Sequence, residues 1–378
     1  MRILHLYKAY APVLGGIENH IRALAEAQSA EGHQVRVLVT TQPGMPSSER
    51  LNGVDVERAP SLGTLASTPL SPALIQSARS ARVDLIHLHA PYPVAEVAVL
   101  GRRNAPYVIT LHADPTRPVQ RLILAAYAPL FRRVVDGARA LLVTSPQAAQ
   151  RSRWVEPGDP RIAIVPLGSD PERFRPTASS PNVPGSPLRI LFTGMLRHYK
   201  GVDVLLKALP LVTRAVSLTV AGAGPELERL RALSRQLDLS ERVSFLGRIA
   251  EDALPTLYQT HDLFVLPAVS AAEAFGQVLV EAMLSGLPCI TTELGTGTSF
   301  VVQDGVTGRV VEPRSPEALA TTIDRLAAEP ELRRRLGRAG RDRALEHFTT
   351  ARMLADVRAV YAGVVSGGGG SIHEPIHR

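Results

Sequence analysis

The residues with the clearest potential for chemistry lie between Glu273 and Pro288, directly after an apolar run at Leu263–Pro267. This segment holds two carboxylates, Glu273 and Glu281, and a glycine, Gly276, where a helix is predicted to begin. Backbone N–H groups at a helix N-terminus can hold a phosphate, and glycine lets the backbone approach it closely. Helix rise puts the two carboxylates about 10 Å apart, which suits the two ends of an extended ligand better than a paired acid/base site.

Other polar or glycine-rich positions carry weaker signals. Gly15-Gly16 follows the first predicted strand and opens a helix, but it lacks the G-x-G-x-x-G spacing of an ordinary dinucleotide site. His87 and His89 alternate along one strand and share a face, yet no third ligand follows in the sequence, so zinc is not expected. Cys289 sits in an apolar run and is expected to be a buried structural thiol.

Short apolar runs alternate with helical patterns throughout, which is typical of βα units and parallel sheets. The stretch Ile17–Glu31 has apolar residues at one-face helical spacing and ends before Gly32. Strands are predicted at Arg2–Tyr7, Gln34–Thr40, Leu85–His89, Tyr107–Leu111, Ala140–Thr144, Ile162–Val165, Leu188–Thr193, Ser217–Ala221, Val243–Leu246, Leu263–Pro267 and Pro288–Thr291.

The pattern divides into two halves, as expected for 378 residues. Residues 177–187 are rich in proline and serine and predict a linker between a first domain, 1–176, and a second, 188–350. A helix at about 351–364 is expected to cross back to the first domain, and the glycine-rich tail, 366–378, to be disordered. Ligands of such α/β sheets sit outside the carboxyl ends of the strands, so a cleft between the halves is the expected site.

Composition narrows the function classes. Aromatic residues are 4% of the chain, which weighs against a base-stacking nucleic-acid surface. A single cysteine excludes a disulfide framework and is what a cytoplasmic protein is expected to have. The sequence has no run of about 18 apolar residues without a charge, so no membrane-spanning segment is predicted. Residues 1–180 carry +6 of the net charge of +7. Their arginines either contact anionic lipid at the inner face of the membrane or form an ordinary solvated surface; they are Arg102, Arg103, Arg117, Arg121, Arg132, Arg133 and Arg139.

Five motifs in order along the chain resemble glycosyltransferase family 4. The segment from Glu273 to Glu281 is similar to the family's E-x7-E signature, followed by Gly286 and Pro288. The other four are Gly15-Gly16 with Glu18, Gly168 through Asp170 to Phe174, Phe192-Thr193-Gly194 through Lys200-Gly201, and Gly222-Ala223-Gly224-Pro225. The resemblance covers almost the whole chain. It implies the GT-B fold, with two Rossmann-like domains facing across a cleft.

The resemblance also implies roles for single residues. Glu273 would contact the hydroxyls of the transferred sugar, and Glu281 would bind those of the ribose. The backbone near Phe275 and Gly276 would meet the diphosphate or the sugar, and Lys200 would neutralise the diphosphate. No cofactor and no metal would be required, because a cation on the leaving phosphate stabilises an oxocarbenium-like transition state without Mg²⁺.

The same resemblance has implications for Arg197, for the glycine pair Gly15-Gly16, and for His112 and Asp114. Where the family usually has arginine, this chain has Met195, which cannot pair with phosphate, so Arg197 is the candidate for the second cation. Gly15 and Gly16 would let a loop close near the donor. His112 is expected to donate a hydrogen bond to a sugar hydroxyl. Asp114 is the candidate on the acceptor side.

The closest matches of motif detail are mannosyl- and rhamnosyl-type enzymes of bacterial surface polysaccharide and glycolipid assembly. A retaining hexosyl transfer is therefore expected, from GDP-mannose first or a UDP-sugar second, to a glycan or lipid-linked acceptor. Front-face attack would let the departing phosphate take the acceptor's proton. The alternatives are a sugar-nucleotide epimerase of the same architecture and a two-lobed binding protein without turnover. The glycine pattern disfavours a dehydrogenase.

Overall fold

The chain forms two compact units in a computed structural model that describes residues 1–13, 15–65, 68–102, 104–112, 118–156, 158–177 and 186–366, with backbone only at 118–126. The first unit is Met1–Pro166 together with the chain from Met353 onward, and the second is Leu167–Arg352. The sequence placed the first boundary at 176. Residues 167–176 belong to the second unit because Ser169 pairs with Thr349 and the Phe174 ring packs on Tyr258. Most of the expected linker and the expected tail lie outside the described residues.

The first unit is a parallel sheet with helices on its faces. Its main sheet has the strand order β10-β9-β8-β7-β1-β2-β4-β3, in which only β3 runs antiparallel to its neighbour. The elements are β1 (Arg2–Leu6), α1 (Gly16–Ala30), β2 (Gln34–Thr40), β3 (Ser48–Leu51), β4 (Val54–Ala59), β5 (Gly63–Leu65), β6 (Thr68–Leu70), α2 (Pro72–Ser80), β7 (Leu85–Ala90), α3 (Pro93–Val99), β8 (Tyr107–Leu111), α4 (Pro118–Gly137), β9 (Ala140–Val143), α5 (Pro146–Arg151) and β10 (Ile162–Ile164).

The second unit is a six-stranded parallel sheet in the order β13-β12-β11-β14-β15-β16. Short 3₁₀ turns at His198–Lys200 and Leu209–Leu211 flank α6. The elements are β11 (Leu188–Thr193), α6 (Val202–Ala208), β12 (Val216–Ala221), α7 (Leu227–Gln236), β13 (Val243–Gly247), α8 (Leu254–Gln259), β14 (Leu263–Leu266), α9 (Gln277–Leu284), β15 (Cys289–Thr292), α10 (Gly297–Val301), β16 (Gly308–Val311), α11 (Pro316–Ala328) and α12 (Pro330–His347), with α13 (Thr350–Val365) leading back to the first unit.

The last helix, α13, packs onto the first sheet, as the family resemblance implied. Val357 and Tyr361 of α13 join Ile3, Leu85 and Val108 in one buried cluster. Burial of these side chains, at roughly 25 cal/mol per Å² of apolar surface, holds the C-terminal helix on the unit that begins the chain. The return of the chain to its first domain is therefore confirmed.

Five strands were not predicted from the sequence. β3 and β4 contain several charged residues, β5 and β6 form a hairpin of two three-residue strands, and β16 begins at Gly308 and is only four residues long. Edge and hairpin strands need no continuous apolar run, so period and composition give little warning of them.

In each sheet the strand order reverses at one pair of neighbours. The reversal lies between β1 and β7 in the first unit and between β11 and β14 in the second. Crossover helices leave such a pair on opposite faces, which opens a crevice at the carboxyl ends of the two strands. Ligand-binding residues are therefore expected in the loops that follow these four strands.

The arginines of the basic stretch in the first unit differ in exposure. Arg102 is half-buried and donates hydrogen bonds to the carbonyls of Ala78 and Ala81 at the end of α2. Arg132, Arg133 and Arg139 are exposed. Arg103 and Arg117 lie outside the described residues, as does the Arg121 side chain. Among the described helices, none has the length and apolar character needed to cross a membrane.

Candidate active site

Glu273 lies in the loop between β14 and α9, at the reversal point of the second sheet. Gly276 ends this loop with φ of +81° and caps α9, which begins at Gln277. A Cβ on Gly276 would lie 2.8 Å from a methyl of Leu279 and 3.2 Å from one of Leu266. Both the left-handed backbone and the close packing therefore require glycine here. The helix start predicted from the sequence is present.

The carboxylate of Glu273 forms an ion pair with the ammonium group of Lys200. Lys200 closes the turn that follows β11, so two loops from neighbouring strands meet at this contact. Each side chain is about one-tenth exposed, at 11% for Lys200 and 10% for Glu273. Burial by itself lowers the pKa of Lys200, but Glu273 and then Tyr199 counteract it, and the pKa lies above its usual value. Lys200 therefore carries a positive charge in a largely buried position.

Glu281 lies inside α9 and accepts a hydrogen bond of 2.8 Å from the Tyr258 hydroxyl. That hydroxyl also lies 2.7 Å from Oγ1 of Thr193, at the end of β11. Burial raises the pKa of Glu281 to about 7, although the hydrogen bond from Tyr258 opposes the shift. The carboxylate is held in one direction by a buried tyrosine and keeps acceptor capacity for a ligand.

Arg197 lies beside the methionine that replaces the expected arginine. Its Nε donates to Sδ of Met195 at 3.0 Å, and both side chains are exposed. The sequence spacing alone suggested a displacement of several ångströms along the chain. The turn between β11 and α6 instead folds the arginine side chain back onto Met195, which keeps a guanidinium in this loop.

Glycines let the loops of the second unit approach each other closely. A Cβ on Gly222 would lie 1.9 Å from the carbonyl oxygen of Gly194, and one on Gly201 would lie 1.9 Å from that of Pro267. A Cβ on Gly224 would lie 2.4 Å from the carbonyl oxygen of Leu196. These glycines pack the loops after β11, β12 and β14 against one another, so they position Lys200 and the Glu273 loop.

The remaining predicted residues belong to the first unit. Gly15 and Gly16 lie at the start of α1, and a Cβ on Gly16 would meet nothing within 4 Å. His112 follows β8, is buried, and places its Nε2 3.1 Å from Nδ1 of His89. Asp114 lies outside the described residues.

Comparison with known proteins identifies this arrangement. Residues 14–173 match the family model described as Glycosyltransferase Family 4, and residues 175–343 match that of Glycosyl transferases group 1. The D-rhamnosyltransferase WbpZ of Pseudomonas aeruginosa is 32% identical over 357 residues, covering 92% of each chain. The chain belongs to glycosyltransferase family 4.

Two further comparisons bear on this glycosyltransferase. The O-antigen chain mannosyltransferase C of Escherichia coli is 29% identical over 362 residues, covering 94% of this chain and 96% of the relative. The structure of HepE from Anabaena in complex with UDP is similar with a TM-score of 0.77 and 21% identity, covering 96% of this chain and 100% of that one. The predicted GT-B fold, with two Rossmann-like domains, is confirmed.

One part of the glycosyltransferase site was missed from sequence. Thr296 donates through its hydroxyl to the carbonyl of Glu273 at 2.8 Å, and the amide of Gly297 donates to that of Ala274. A Cβ on Gly297 would lie 2.7 Å from the same Ala274 oxygen. The loop after β15 therefore braces the Glu273 loop. The available signal was Gly295-Thr-Gly297, separated by three residues from a predicted strand, which has the same form as Gly222-Ala-Gly224.

Proposed function

We propose that this glycosyltransferase moves a hexose, with mannose favoured, from a nucleoside-diphosphate sugar to a hydroxyl of a glycan or lipid-linked acceptor, with retention and without a metal. The observation that carries the proposal is the ion pair between Lys200 and Glu273 at the reversal point of the second sheet. A donor brings both partners that these two charges need: a diphosphate for the lysine and hydroxyl groups for the carboxylate.

Lys200 contributes electrostatic stabilisation where negative charge develops. As the bond between the anomeric carbon and the diphosphate breaks, charge accumulates on the leaving phosphate. A preorganised cation in a largely buried site stabilises that charge more than it would in water. Arg197 supplies a second, more mobile cation from the same loop. Together they do the work that Mg²⁺ performs in metal-dependent transferases.

Glu273 and Glu281 bind the two ends of the donor. Glu273 accepts hydrogen bonds from the sugar hydroxyls, and Glu281, held by Tyr258, accepts them from the ribose. The backbone at Phe275 and Gly276 meets the donor between them, where the left-handed glycine keeps side-chain bulk away. Front-face attack by the acceptor then lets the departing phosphate oxygen take the acceptor proton, so no protein base is required.

GDP-mannose is the favoured donor because the similar relatives include a mannosyltransferase and a D-rhamnosyltransferase. A UDP-sugar is second, since HepE was solved with UDP. These relatives favour glycosyl transfer over the epimerase and the binding protein. Contact with a membrane through the basic first unit, at the cytoplasmic face, accompanies a lipid-linked acceptor in this proposal.

A thermal-shift panel tests the donor assignment. GDP, UDP, GDP-mannose, UDP-glucose and UDP-galactose are each added with EDTA present. A ligand at a hundredfold excess over its Kd stabilises the protein by about 2.7 kcal/mol. We expect GDP-mannose to raise Tm by several degrees and the K200M variant to lose most of that rise. If every sugar nucleotide left Tm unchanged, or needed Mg²⁺ to raise it, the proposal would be wrong in that part.

A further inference from the structure

Five buried histidines lie together in the first unit, on one face of its sheet. β1 and β7 pair with His5 opposite His87, and β7 and β8 pair with His89 opposite Thr110. The same face is apolar at the start of these strands, at Ile3 and Leu85, and becomes histidine-rich toward their carboxyl ends. None of the five is more than 8% exposed; they are His5, His20, His87, His89 and His112.

Three of these histidines form a chain of hydrogen bonds. Nε2 of His112 lies 3.1 Å from Nδ1 of His89, and Nε2 of His89 lies 3.0 Å from Nδ1 of His5. Nε2 of His5 lies 2.8 Å from Oε1 of Gln28 on α1. The chain therefore runs from a residue at the carboxyl end of β8 to an amide side chain buried under α1.

The imidazoles of this chain are uncharged. Burial lowers the pKa of His5 to about 4 and lowers the pKa values of His89 and His112 well below the usual range. A neutral imidazole has one N–H donor and one acceptor nitrogen. Once the proton of one ring is placed, every other proton in the chain is placed with it.

Gln28 sets the direction. Its Oε1 can only accept, so His5 carries its proton on Nε2 and accepts at Nδ1. His89 then carries its proton on Nε2 and accepts at Nδ1, and His112 donates from Nε2. The 2.8 Å contact between His5 and Gln28 is ordinary for N–H···O, whereas the 3.4 Å contact of the Gln28 amide nitrogen with Tyr361 is long in either orientation of the amide.

We propose that Gln28, His5 and His89 are positioning residues that hold His112 with its proton on Nε2, so that Nδ1 of His112 is a hydrogen-bond acceptor. The inference rests on the proposed function in one respect, the contact of His112 with substrate. It reverses the role expected from the sequence, in which His112 donated. His112 accepts a hydrogen bond at Nδ1 from a substrate hydroxyl, which places electron density on that oxygen instead of withdrawing it.

The same histidines are near enough to suggest a metal site, but their geometry favours the chain. His5, His87 and His89 have ligand nitrogens within 4.8 Å of one another, and so do His20, His89 and His112. The rings of His5 and His89 are nearly coplanar, at 20°, and are joined edge to edge by their hydrogen bond, while His87 stacks on His89 at 23°. Both nitrogens of His5, His87 and His89 already have protein partners.

His87 provides a matched control. It lies on the same strand as His89, is equally buried, and stacks on it with ring centroids 4.2 Å apart. Its nitrogens bind Tyr361 and Thr110 and not the chain to His112. Substitution by phenylalanine keeps a ring at either position, so the two variants differ mainly in whether the chain is broken.

The first test is nitrogen-15 NMR of histidine-labelled protein without substrate, with His112 assigned by loss of its signal in H112Q. Two-bond couplings to the ring hydrogens show which nitrogen bears the proton. We expect protons on Nε2 of His112, His89 and His5. A proton on Nδ1 of His112 would overturn the inference. So would shifts of the His5 and His89 nitrogens on adding one equivalent of Zn²⁺, because those nitrogens would then be ligands.

The second test is kinetic. We expect H89F to lower kcat about tenfold or more with the donor KM unchanged, as for other lost orienting partners, and H87F to change kcat less than about twofold. NMR of H89F should show His112 with its proton shared between both nitrogens. Equal losses of kcat in H87F and H89F would contradict the role. If His112 carries its proton on Nε2 but the protein consumes no sugar nucleotide, the proposed function is wrong and the direction of the hydrogen bonds still holds.

Discussion

Each of the two units buries a polar cluster, and the two clusters offset the free-energy cost of removing polar groups from water in opposite ways. The histidine cluster of the first unit is neutral, and three of its members bond to one another, so the cluster itself carries no charge. The second unit keeps its charges and pairs Lys200 with Glu273. Imidazole can do the former because its usual pKa lies near neutrality, whereas an ammonium and a carboxylate must be paired.

The two kinds of cluster suit different roles: the neutral one can orient a side chain, and the ion pair can bind a charged ligand. A neutral, internally bonded cluster has no partner to exchange, so it can hold a side chain at its end but gains little from a charged ligand. An ion pair whose two side chains are each about one-tenth exposed can exchange one partner for a ligand of the same charge. We therefore expect the second unit to carry donor activation and the first to carry fine positioning.

The largest effect is expected from E273Q. The amide cannot pair with Lys200 and accepts fewer hydrogen bonds, so turnover should fall about 10³-fold, as when one preorganised group is removed from other sites. Release of GDP from GDP-mannose measures turnover, and calorimetry with GDP shows that the nucleotide still binds. The control is E228Q, which removes an exposed ion pair with Arg231 on α7. Turnover of E273Q within about twofold of wild type would remove Glu273 from the site.

Loss of the cations should have the next largest effect. We expect K200M to lower kcat/KM about 100-fold, because a hydrogen bond to a charged group is worth about 1.5–3 kcal/mol, and R197M to lower it about tenfold. K207M is the control, since Lys207 is half-exposed on α6.

The binding pattern distinguishes a phosphate role from a folding defect in these variants. K200M should lose affinity for GDP while binding guanosine as well as wild type does. Equal losses for both ligands would mean that Lys200 supports the fold and not the diphosphate.

Opposite pH dependence of stability is the direct test of the comparison. The pKa of Glu281 is raised by burial from 4.5 to about 7, so the folded state binds more protons between those values and loses stability as pH rises. E281Q lacks this cost. Its unfolding free energy should gain about 3 kcal/mol relative to wild type between pH 4.5 and pH 8, measured by urea unfolding. A constant difference across that range would show that Glu281 is solvated.

His20 should show the reverse sign. Burial lowers its pKa from 6.5 to about 4, so the unfolded state binds more protons in that window and stability falls as pH falls. His20 packs edge-on against His89 and His112, and its Nδ1 has no hydrogen-bond partner among the described residues. H20F keeps the packing and should reduce the loss of unfolding free energy between pH 7 and pH 3.5 by about 3 kcal/mol, measured by urea unfolding. An unchanged acid slope would contradict the neutral cluster.

The smallest effect is expected at the glycine pair of the first unit. Gly16 has open space where a Cβ would project, so G16A should leave Tm within about one degree, since alanine favours helices. If the donor binds against this backbone, kcat/KM should still fall about tenfold, which corresponds to the loss of one hydrogen bond. Unchanged kcat/KM would assign the glycine no part in the site. G201A is the opposite control, because its Cβ would meet the Pro267 carbonyl and the fold should suffer.

Much of this molecule follows from its sequence. The strands at Gln34–Thr40 and Leu188–Thr193 formed where apolar runs predicted them, and the helix after Gly276 began where the glycine indicated. The short edge strand Ser48–Leu51 was missed because a polar, one-sided strand has no distinctive period. The E-x7-E segment was found because a loop, a left-handed glycine and a helix follow one another along the chain.

Only the tertiary structure could decide which distant residues meet. The partnership of Lys200 with Glu273 depends on β11 and β14 being neighbours, although 72 positions separate the two residues. The histidine chain depends on the register that sets His5 beside His87 and on α1, which brings Gln28. Sequence spacing reports local periodicity, whereas sheet order and register arise from burying both faces at once. The residue types and their local elements could therefore be predicted from the sequence, whereas the position of each histidine proton and the partners of each ion pair were decided by the fold.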